Sequence, residues 1–421
     1  MVRRRAVWVL LVDLLPAALG VWMVFHVLRG EVASHYRIES RSMEPTLHGA
    51  RPGGDVVLVD KTAFWSWRAR PLARFDLVVV RNRHKRSAPH LVKRFIAAGP
   101  AEIAVREGDL YVRDGELRAL ERVVKDPLDP AGLRQTVFAL DFAAPDAAER
   151  TAERLVGSER LAPGALVMRA QSRDALLGHL TAAALAERKA GAAGPERVLP
   201  PGFLATKSDL DSGFLDAEGE IVAAARAAVR DVGLELDLVA TAGVTGVLLV
   251  VEVLEVYHAI EWTADGRLTV TVMGTEVGPA RTVAPLPVGT EVRLAFGYLD
   301  GRLFVTSGDA VIACFEHDVP FQSPRELLPG ERWERPRVNV LHVAATGSGE
   351  LRLERLRAFH DIHYQPRSET WRLEPGEIFV LGDNSFDSAD SRDHAHDPFR
   401  TEDLIGRPVA VMAPGVRRRW L

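Results

Sequence analysis

Cysteine is almost absent from this chain, since Cys314 is the only one in 421 residues. A single thiol excludes an internal disulfide and any zinc or iron–sulfur site built from several cysteines, so we expect Cys314 to be a small buried hydrophobic residue.

The chain also has no excess of basic residues over acidic ones. The 57 Asp and Glu outnumber the 53 Lys and Arg, which argues against a nucleic-acid-binding protein. The length predicts one large elaborated domain or two domains, and we expect two.

The N-terminus contains a long apolar run, residues 6–28. At about 1.5 Å per residue, a helix of this length crosses a hydrocarbon core, so the run predicts a transmembrane anchor. Asp13 and Pro16 weigh against that interpretation. A removable signal peptide is the alternative, but the run is long for one and no A-x-A-like site precedes Ser42. The arginines at 3–5 predict a cytoplasmic N-terminus, with the rest of the chain on the outer side.

The pattern of apolar residues changes along the chain. Short β-like runs separated by Gly, Pro and Asp lie at 56–59, 77–80, 91–96 and 110–112. They predict a β-rich domain ahead of about residue 127. An Ala-rich stretch with interspersed charged residues follows, and we expect helices near 146–155 and 172–190. Strand periodicity then runs from about 233 to 364, with hairpin turns at Asp265-Gly266 and Asp300-Gly301, and predicts a β-sandwich. Short strands return at 374–414.

We therefore predict a mainly β protein whose β-rich domain is interrupted by a large insertion. The expected parts are a cytoplasmic tip and anchor at 1–29, the first part of the domain at 30–126, the insertion at 127–364 and the second part at 365–421. The ends of an inserted segment lie close together, so this topology is easily accommodated.

Three segments contain chemically suggestive side chains. Ser42 lies in the polar turn Ser-Arg-Ser-Met-Glu-Pro-Thr at 40–46, although an isolated serine is more often structural. Lys93 lies among apolar residues of a predicted strand, where an edge lysine that keeps the strand soluble is the simplest interpretation. Burial there would lower its pKa from about 10.4 toward neutrality and make it a base. The third segment, 382–392, is dense in Asp and Ser, as a capped turn can also be.

Together, these segments closely resemble the type I signal peptidases, the S26 serine protease family. Further similar segments lie at 54–61, 74–80 and 403–407. The resemblance implies that Ser42 is the nucleophile and Lys93 the general base. It also implies that the backbone N–H of Ser42 and the hydroxyl of Ser40 form the oxyanion hole. Pro45 fixes φ just after the nucleophile and should stiffen its turn.

The resemblance assigns supporting roles as well. The serine that matches Ser388 orients the lysine ammonium, and Asp383, Asp390 and Arg392 brace the site, with Asp383 paired to Arg94. The sequence departs from the usual family pattern at two places. Ser385 and Phe386 stand where Arg and Asp are common, and 98–102 replaces a G-x-P-G-D-like turn. These departures affect the expected salt bridges and the shape of the pocket.

The resemblance also implies the substrate. The family binds an extended peptide as an added strand and accepts small side chains, typically alanine, before the cut. Residues 34–39 and 90–94 would flank that peptide. The expected partners are therefore exported preproteins and the lipid bilayer, and the expected location is the plasma (inner) membrane, with a single pass and the catalytic domain outside.

The insertion resembles concanavalin A-like or laminin G-like sandwiches in strand pattern only. A carbohydrate ligand and a protein partner both remain possible for it, and no calcium-loop signature is present. His394 and His396 could bind a metal with Asp397, but the chain offers no obvious further ligand. We predict no metal and no cofactor.

Three hypotheses follow from the sequence. The first is an endopeptidase that removes signal peptides after Ala-x-Ala. The second is a related Ser/Lys protease with one dedicated substrate. The third is a catalytically silent surface protein whose sandwich binds carbohydrate, although retention of Ser40, Ser42, Lys93 and Ser388 argues against it. A self-cleaving repressor is excluded because a DNA-binding segment would have to replace the anchor.

Overall fold

The structure is a computed structural model. It describes residues 18–21, 23, 28–49, 53–65, 70–84, 90–106, 108–115, 119–128, 133–157, 160–162, 164–178, 203–206, 214–215, 221–222, 229–253, 256–317, 339–365, 370–394, 397–414 and 418–421. Most of the predicted anchor lies outside these residues. Across the described ranges, no helix combines the length and the apolar character needed to cross a membrane.

Short strands and single helical turns make up the chain ahead of the insertion. A π-helical turn at Leu28–Val32 comes first, and 3-10 turns follow at Arg41–Met43 and Lys61–Phe64. The strands are β1 (Ala33–Arg37), β2 (Val56–Asp60), β3 (Leu77–Arg81), β4 (His90–Ala98), β5 (Ala101–Arg106), β6 (Asp109–Asp114) and β7 (Glu121–Arg122). The four strands predicted from apolar runs are confirmed as β2, β3, β4 and β6.

The middle of the chain is also mostly β. Its strands are β8 (Arg134–Asp141), β9 (Leu155–Gly157), β10 (Arg160–Ala162), β11 (Ala165–Arg169), β12 (Phe203–Thr206), β13 (Phe214–Leu215), β14 (Ile221–Val222), β15 (Val232–Ala240), β16 (Val244–Val253), β17 (Val256–Thr263), β18 (Arg267–Val272), β19 (Thr275–Glu276), β20 (Arg281–Thr282), β21 (Glu291–Leu299), β22 (Arg302–Ser307), β23 (Ala310–Glu316), β24 (Asn339–Gly347) and β25 (Glu350–Asp361). Helix α1 spans Ala147–Arg154, as predicted, and a short helix spans 173–178.

The last part of the chain returns to short strands. These are β26 (Thr370–Leu373), β27 (Glu377–Leu381), β28 (Phe399–Arg400), β29 (Leu404–Ala413) and β30 (Arg419–Trp420), with 3-10 turns at Ser391–Asp393 and Thr401–Asp403.

The chain divides into two compact units. The first contains residues 1–105, 111–121 and 367–421, and the second contains 106–110 and 122–366. The first unit is thus built from both ends of the chain, and the second is inserted into it.

One eight-stranded sheet organises the first unit, in the order β1-β2-β29-β3-β4-β27-β28, with β30 beside β29. Strands from after the insertion therefore alternate with strands from before it. Apolar clusters cover both faces of this sheet. Val79 packs into one cluster with Met43, while Val78 and Val80 pack into the other with Phe95. A strand buried on both faces needs a continuous apolar run, which explains the valines of β3. A four-stranded sheet, β26-β5-β6-β7, completes the fold.

Two eight-stranded sheets form a β-sandwich in the second unit. One has the order β10-β11-β25-β15-β21-β22-β23 with β8 beside β25, and the other has the order β19-β18-β17-β16-β24-β12-β9 with β20 beside β18. Leu236 of the first and Leu249 of the second belong to one shared apolar core. The predicted hairpin turns are present, and Asp300 and Gly301 both have positive φ, as a tight two-residue turn requires.

The sandwich begins earlier in the chain than residue 233. Strands β8, β11 and β12 come from the stretch in which the sequence suggested mainly helices, and they pair with β25, β25 and β24. The local composition is Ala-rich and charged, so tertiary pairing rather than intrinsic propensity places these residues in strands. Most of the helix expected at 172–190 falls outside the described residues.

Candidate active site

Ser42 lies on the 3-10 turn that follows β1. Met43 and Leu47 beside it are buried in the apolar core of the first unit, which fixes the turn. Two backbone hydrogen bonds tie the segment down, from Leu47 N to Met43 O at 2.8 Å and from Ile38 N to Asp55 O at 2.7 Å. Ser42 itself is only 7% exposed, so its hydroxyl is held in a largely water-excluded position.

Lys93 extends from the middle of β4 toward that hydroxyl. Its Nζ donates to Ser42 Oγ at 2.8 Å and to Ser388 Oγ at 3.0 Å. Ser40 Oγ lies 3.3 Å from Ser42 Oγ. The structure thus brings together four side chains from three distant segments, Ser40, Ser42, Lys93 and Ser388. When the amine is neutral, its lone pair can accept the proton of Ser42.

The environment of Lys93 favours the neutral amine. The residue is 1% exposed, and burial lowers the pKa of its side chain from 10.5 to about 8. The charges of Asp390 and Asp383 oppose this shift, and that of Arg392 supports it. A lysine with a pKa near 8 has a substantial neutral fraction at physiological pH, which a general base requires.

Asp390 is the centre of the network behind Ser388. It accepts a hydrogen bond from Ser388 Oγ at 2.7 Å and forms a bidentate pair with Arg392, in which both N–O distances are 2.9 Å. Burial alone would raise the pKa of Asp390, but the pairing with Arg392 and the nearby Lys93 lower it overall. Arg392 in turn donates to the Ser385 hydroxyl at 2.6 Å and to its carbonyl at 2.8 Å.

Gly382 allows this loop to approach the nucleophile closely. A Cβ at this position would lie 2.2 Å from Ser388 Oγ and 2.5 Å from the Ser42 carbonyl oxygen. Asn384 N donates to that same carbonyl at 3.1 Å. The loop and the nucleophile turn are therefore joined directly, and no larger residue fits at 382.

Arg94, the residue after Lys93 in β4, forms a second bidentate pair. Arg94 Nε and Nη2 donate to the two carboxylate oxygens of Asp383 at 2.7 and 2.9 Å. Arg94 also donates to the Thr46 hydroxyl at 3.0 Å and to the Phe75 carbonyl at 3.0 Å. The Thr46 hydroxyl donates to Asp383. One buried arginine therefore connects β4, the nucleophile turn and the loop at 382–392.

Thr46 and Ser385 also belong to this network, although neither has a predicted role in the site. Thr46 could have been found from its place in the motif, directly after Pro45. The role of Ser385 could not be predicted from the sequence, because this residue stands where the family usually has an arginine. In this protein its hydroxyl and carbonyl oxygens accept hydrogen bonds from Arg392.

Two of the metal ligands considered from the sequence, His394 and Asp397, lie beside His84. His394 stacks on His84 with ring centroids 3.7 Å apart, and His84 Nδ1 lies 3.3 Å from Asp397, while His396 is outside the described residues.

In the second unit, ligand atoms of Asp109, Asp231 and Asp300 lie within 4.8 Å of one another. Arg230 lies 2.6 Å from Asp109 and Lys125 lies 2.8 Å from Asp300, so the cations next to these carboxylates are side chains of the protein.

Comparison with known proteins identifies one family. The sequence model described as "Signal peptidase, peptidase S26" matches residues 11–174 and 331–413, together more than half of the chain. No curated protein matches the sequence.

Several solved structures align with parts of the chain. The β-glucanase of Bacillus licheniformis is 6% identical over 53% of this chain and 97% of its own length, with a TM-score of 0.30. The galectin LEC-6 of Caenorhabditis elegans is 13% identical over 31% and 84%, with a TM-score of 0.23. The carbohydrate binding module CBM66 of Bacillus subtilis is 13% identical over 37% and 85%, with a TM-score of 0.21.

Proposed function

The chain belongs to the signal peptidase family, peptidase S26, and we propose that it is a membrane-bound serine endopeptidase that removes signal peptides from exported preproteins. The observation that carries this proposal is the 2.8 Å hydrogen bond between Lys93 Nζ and Ser42 Oγ in a buried setting. Hydroxyl and amine are the nucleophile and base that acyl transfer requires, and they are within proton-transfer distance.

The reaction begins with Ser42. Neutral Lys93 takes the hydroxyl proton while Ser42 Oγ attacks the scissile carbonyl carbon. The negative charge on the carbonyl oxygen is stabilised by the Ser42 N–H and the Ser40 hydroxyl. One such donor is worth roughly 2.7–4 kcal/mol in other serine hydrolases. The Lys93 ammonium then protonates the leaving amine, and the acyl-enzyme remains.

The second half repeats the same proton transfers with water. Neutral Lys93 takes a proton from the attacking water, the acyl carbon–Ser42 bond breaks, and the proton returns to Ser42. Ser388 does not exchange protons in this scheme. It accepts a hydrogen bond from Lys93 and donates to Asp390, which keeps the amine aimed at Ser42.

Two strand edges beside Ser42 suit an extended substrate. Strand β1 is at the end of its sheet and pairs with β2. In β4, residues His90–Val92 pair with β3 on one side, whereas pairing with β27 begins only at Arg94. The Tyr36 and His90 rings lie 5.0 Å apart, so the two edges approach each other. A peptide added there forms main-chain hydrogen bonds, and small side chains such as alanine suit the close spacing.

The membrane part of the proposal rests on the sequence. The apolar run at 6–28 directly precedes β1, and the arginines at 3–5 favour a cytoplasmic N-terminus. This arrangement would hold Ser42 close to the outer surface of the plasma (inner) membrane, where the cleavage site of a tethered preprotein emerges.

Cleavage of a model preprotein with an Ala-x-Ala site, in detergent, tests the proposal. The intact protein should cut after the second alanine, and Ser42→Ala and Lys93→Met should both abolish cutting. Lys61→Met is the matched control, because Lys61 is a lysine of the same unit whose Nζ contacts only the Gly30 carbonyl among the residues described. A substrate with bulky residues in place of both alanines should not be cut.

The remaining outcomes separate the rival hypotheses. Cutting that survives both substitutions would contradict the Ser42/Lys93 assignment. Failure of the intact protein to cut, combined with labelling of Ser42 by an acylating serine-hydrolase probe, would favour a protease with one dedicated substrate. Failure in both assays would favour the silent surface protein.

A further inference from the structure

The sandwich has a charged groove on its solvent-facing side. Its volume is about 470 Å³. Four neighbouring strands, β8, β25, β15 and β21, form its floor. Alternate residues of these strands, such as Leu236 and Leu294, are buried in the core, so the intervening charged residues point outward into the groove.

A row of charges crosses the four strands in register. Arg355 is opposite Asp141 on one side and Asp237 on the other, and Asp237 is opposite Arg293. The arginines extend furthest into solvent: the side chains of Arg355 and Arg293 are 65% and 59% exposed, and that of Asp237 is 7% exposed. A molecule entering the groove therefore meets guanidinium groups before the deeper Asp237 carboxylate.

Arg355 differs from its neighbours in its contacts. Arg293 donates to Asp237 at 2.9 Å, and Arg357 donates to Glu235. Arg355 is 3.8 Å from both Asp141 and Asp237, beyond hydrogen-bond distance, and its guanidinium bonds to no other residue in the described part of the chain. A guanidinium has five N–H donors in a planar fork that matches a carboxylate or phosphate. The centre of the groove thus offers a guanidinium available to an outside oxyanion.

The rest of the lining restricts the ligand further. The groove volume lies within the roughly 300–1,000 Å³ typical of small-molecule sites and far exceeds that of a single inorganic ion. Asp141 and Glu235 are acceptors, which suit a ligand rich in hydroxyl donors. No aromatic side chain lines the groove among the described residues, so a neutral sugar would have no ring to stack on.

We propose that this groove binds a uronic acid unit of an acidic polysaccharide. The carboxylate of the unit pairs with Arg355 in a bidentate arrangement, and hydroxyls of the sugar donate to Asp141 and Glu235. The site lies wholly within the second unit and does not depend on the protease activity proposed above.

Calorimetric titration of the full chain in detergent with an oligogalacturonate tests the site. Methyl-esterified oligogalacturonate is the matched ligand, because it retains the chain and loses the charge. Arg355→Gln should weaken binding of the acidic ligand at least tenfold, as the loss of a charge-assisted pair implies. Arg352→Gln is the matched variant: Arg352 is an exposed arginine on the same strand, outside the groove lining, and its loss should leave binding unchanged.

Unchanged thermal unfolding midpoints would show that both variants fold. Absence of oligogalacturonate binding, equal binding of the esterified ligand, or wild-type affinity in Arg355→Gln would each overturn the proposal. Equal or tighter binding of poly-L-glutamate would also overturn it, since that result would assign the groove to acidic peptides.

Discussion

Among the residues that the structure describes, each unit contains one buried lysine, and the two differ sharply in acidity. Lys93 is 1% exposed and Lys125 is 7% exposed. Burial lowers the pKa of both amines. For Lys93 the net result is a pKa of about 8, whereas for Lys125 the charges of Asp361 and Asp300 outweigh burial and raise the pKa well above 10.5. Burial alone therefore does not make a lysine a base.

The nearest neighbours account for the difference. Lys93 contacts the hydroxyls of Ser42 and Ser388. The Asp390 carboxylate accepts a hydrogen bond from Ser388 and is paired with Arg392. Lys125 forms direct ion pairs with Asp300 at 2.8 Å and with Asp361. Hydroxyls stabilise an ammonium less than carboxylates do, so Lys93 can lose its proton while Lys125 remains charged. The first lysine suits catalysis and the second suits structural support.

The largest expected effect is on activity. Lys93→Met should lower kcat/KM for an Ala-x-Ala peptide by roughly 10⁴-fold or more, since loss of one member of a catalytic serine–base unit removes nearly all of its effect. Lys125→Met, measured per folded molecule, should retain activity within a few-fold of wild type. Comparable losses in the two variants would contradict the contrast between the two lysines.

The next effect is on stability. Lys125→Met leaves the Asp300 and Asp361 carboxylates buried without their shared cation. Breaking a buried pair in this way costs about 3–5 kcal/mol, so the free energy of unfolding from urea denaturation should fall by that amount. Lys61→Met serves as the control, because Lys61 is a half-buried lysine that donates to the backbone carbonyl of Gly30, and it should change the free energy of unfolding by less than about 0.5 kcal/mol. A Lys125→Met protein as stable as wild type would show that the cluster contributes no net support.

The two lysines also differ in how readily the sequence identifies them. Lys93 stands in an apolar strand within a family motif, so its position beside Ser42 could be predicted, although its pKa could not. Its role as the general base stays a prediction. Lys125 lies in a polar stretch, and its partner Asp300 is 175 residues away. Pairing across that distance depends on the completed sandwich, which the local sequence does not specify.

The same distinction applies to the fold. Strands β2, β3, β4 and β6 and the hairpin at Asp300-Gly301 follow from local apolar runs and turn residues. The early strands of the sandwich do not, because β8 and β11 gain their stability from pairing with β25. In the site, Ser385 replaces a usual arginine, and only the structure shows that it satisfies Arg392.

Lys93→Met should change stability less than Lys125→Met does, and in the opposite direction. Burying Lys93 is unfavourable because folding lowers its pKa from 10.5 to about 8, a difference equivalent to about 3 kcal/mol at pH 7. Replacing it with an apolar residue of similar shape should therefore raise the free energy of unfolding by up to about 3 kcal/mol, while Lys125→Met lowers it.

The pH dependence of the free energy of unfolding tests whether the higher stability of Lys93→Met comes from removing the buried amine. Between about pH 8 and 10.5 the unfolded chain holds the Lys93 proton and the folded chain does not, so the stability of the wild type rises with pH in this window. The advantage of Lys93→Met should consequently shrink to less than about 1 kcal/mol at pH 10. An advantage that is equal at pH 7 and pH 10 would have to come from packing instead.

The smallest effect expected is the pH dependence of wild-type cleavage. Only neutral Lys93 can accept the Ser42 proton, so kcat/KM should fall tenfold per unit below a midpoint near pH 8 and level off above it. A profile from pH 6 to 10 with an Ala-x-Ala peptide measures this, and recovery of full activity after return from pH 6 excludes unfolding. A midpoint near 10.5 would mean that burial does not lower the pKa of Lys93. The two lysines would then differ in their position relative to Ser42 and not in a lowered pKa. A flat profile would mean that Lys93 is not the base.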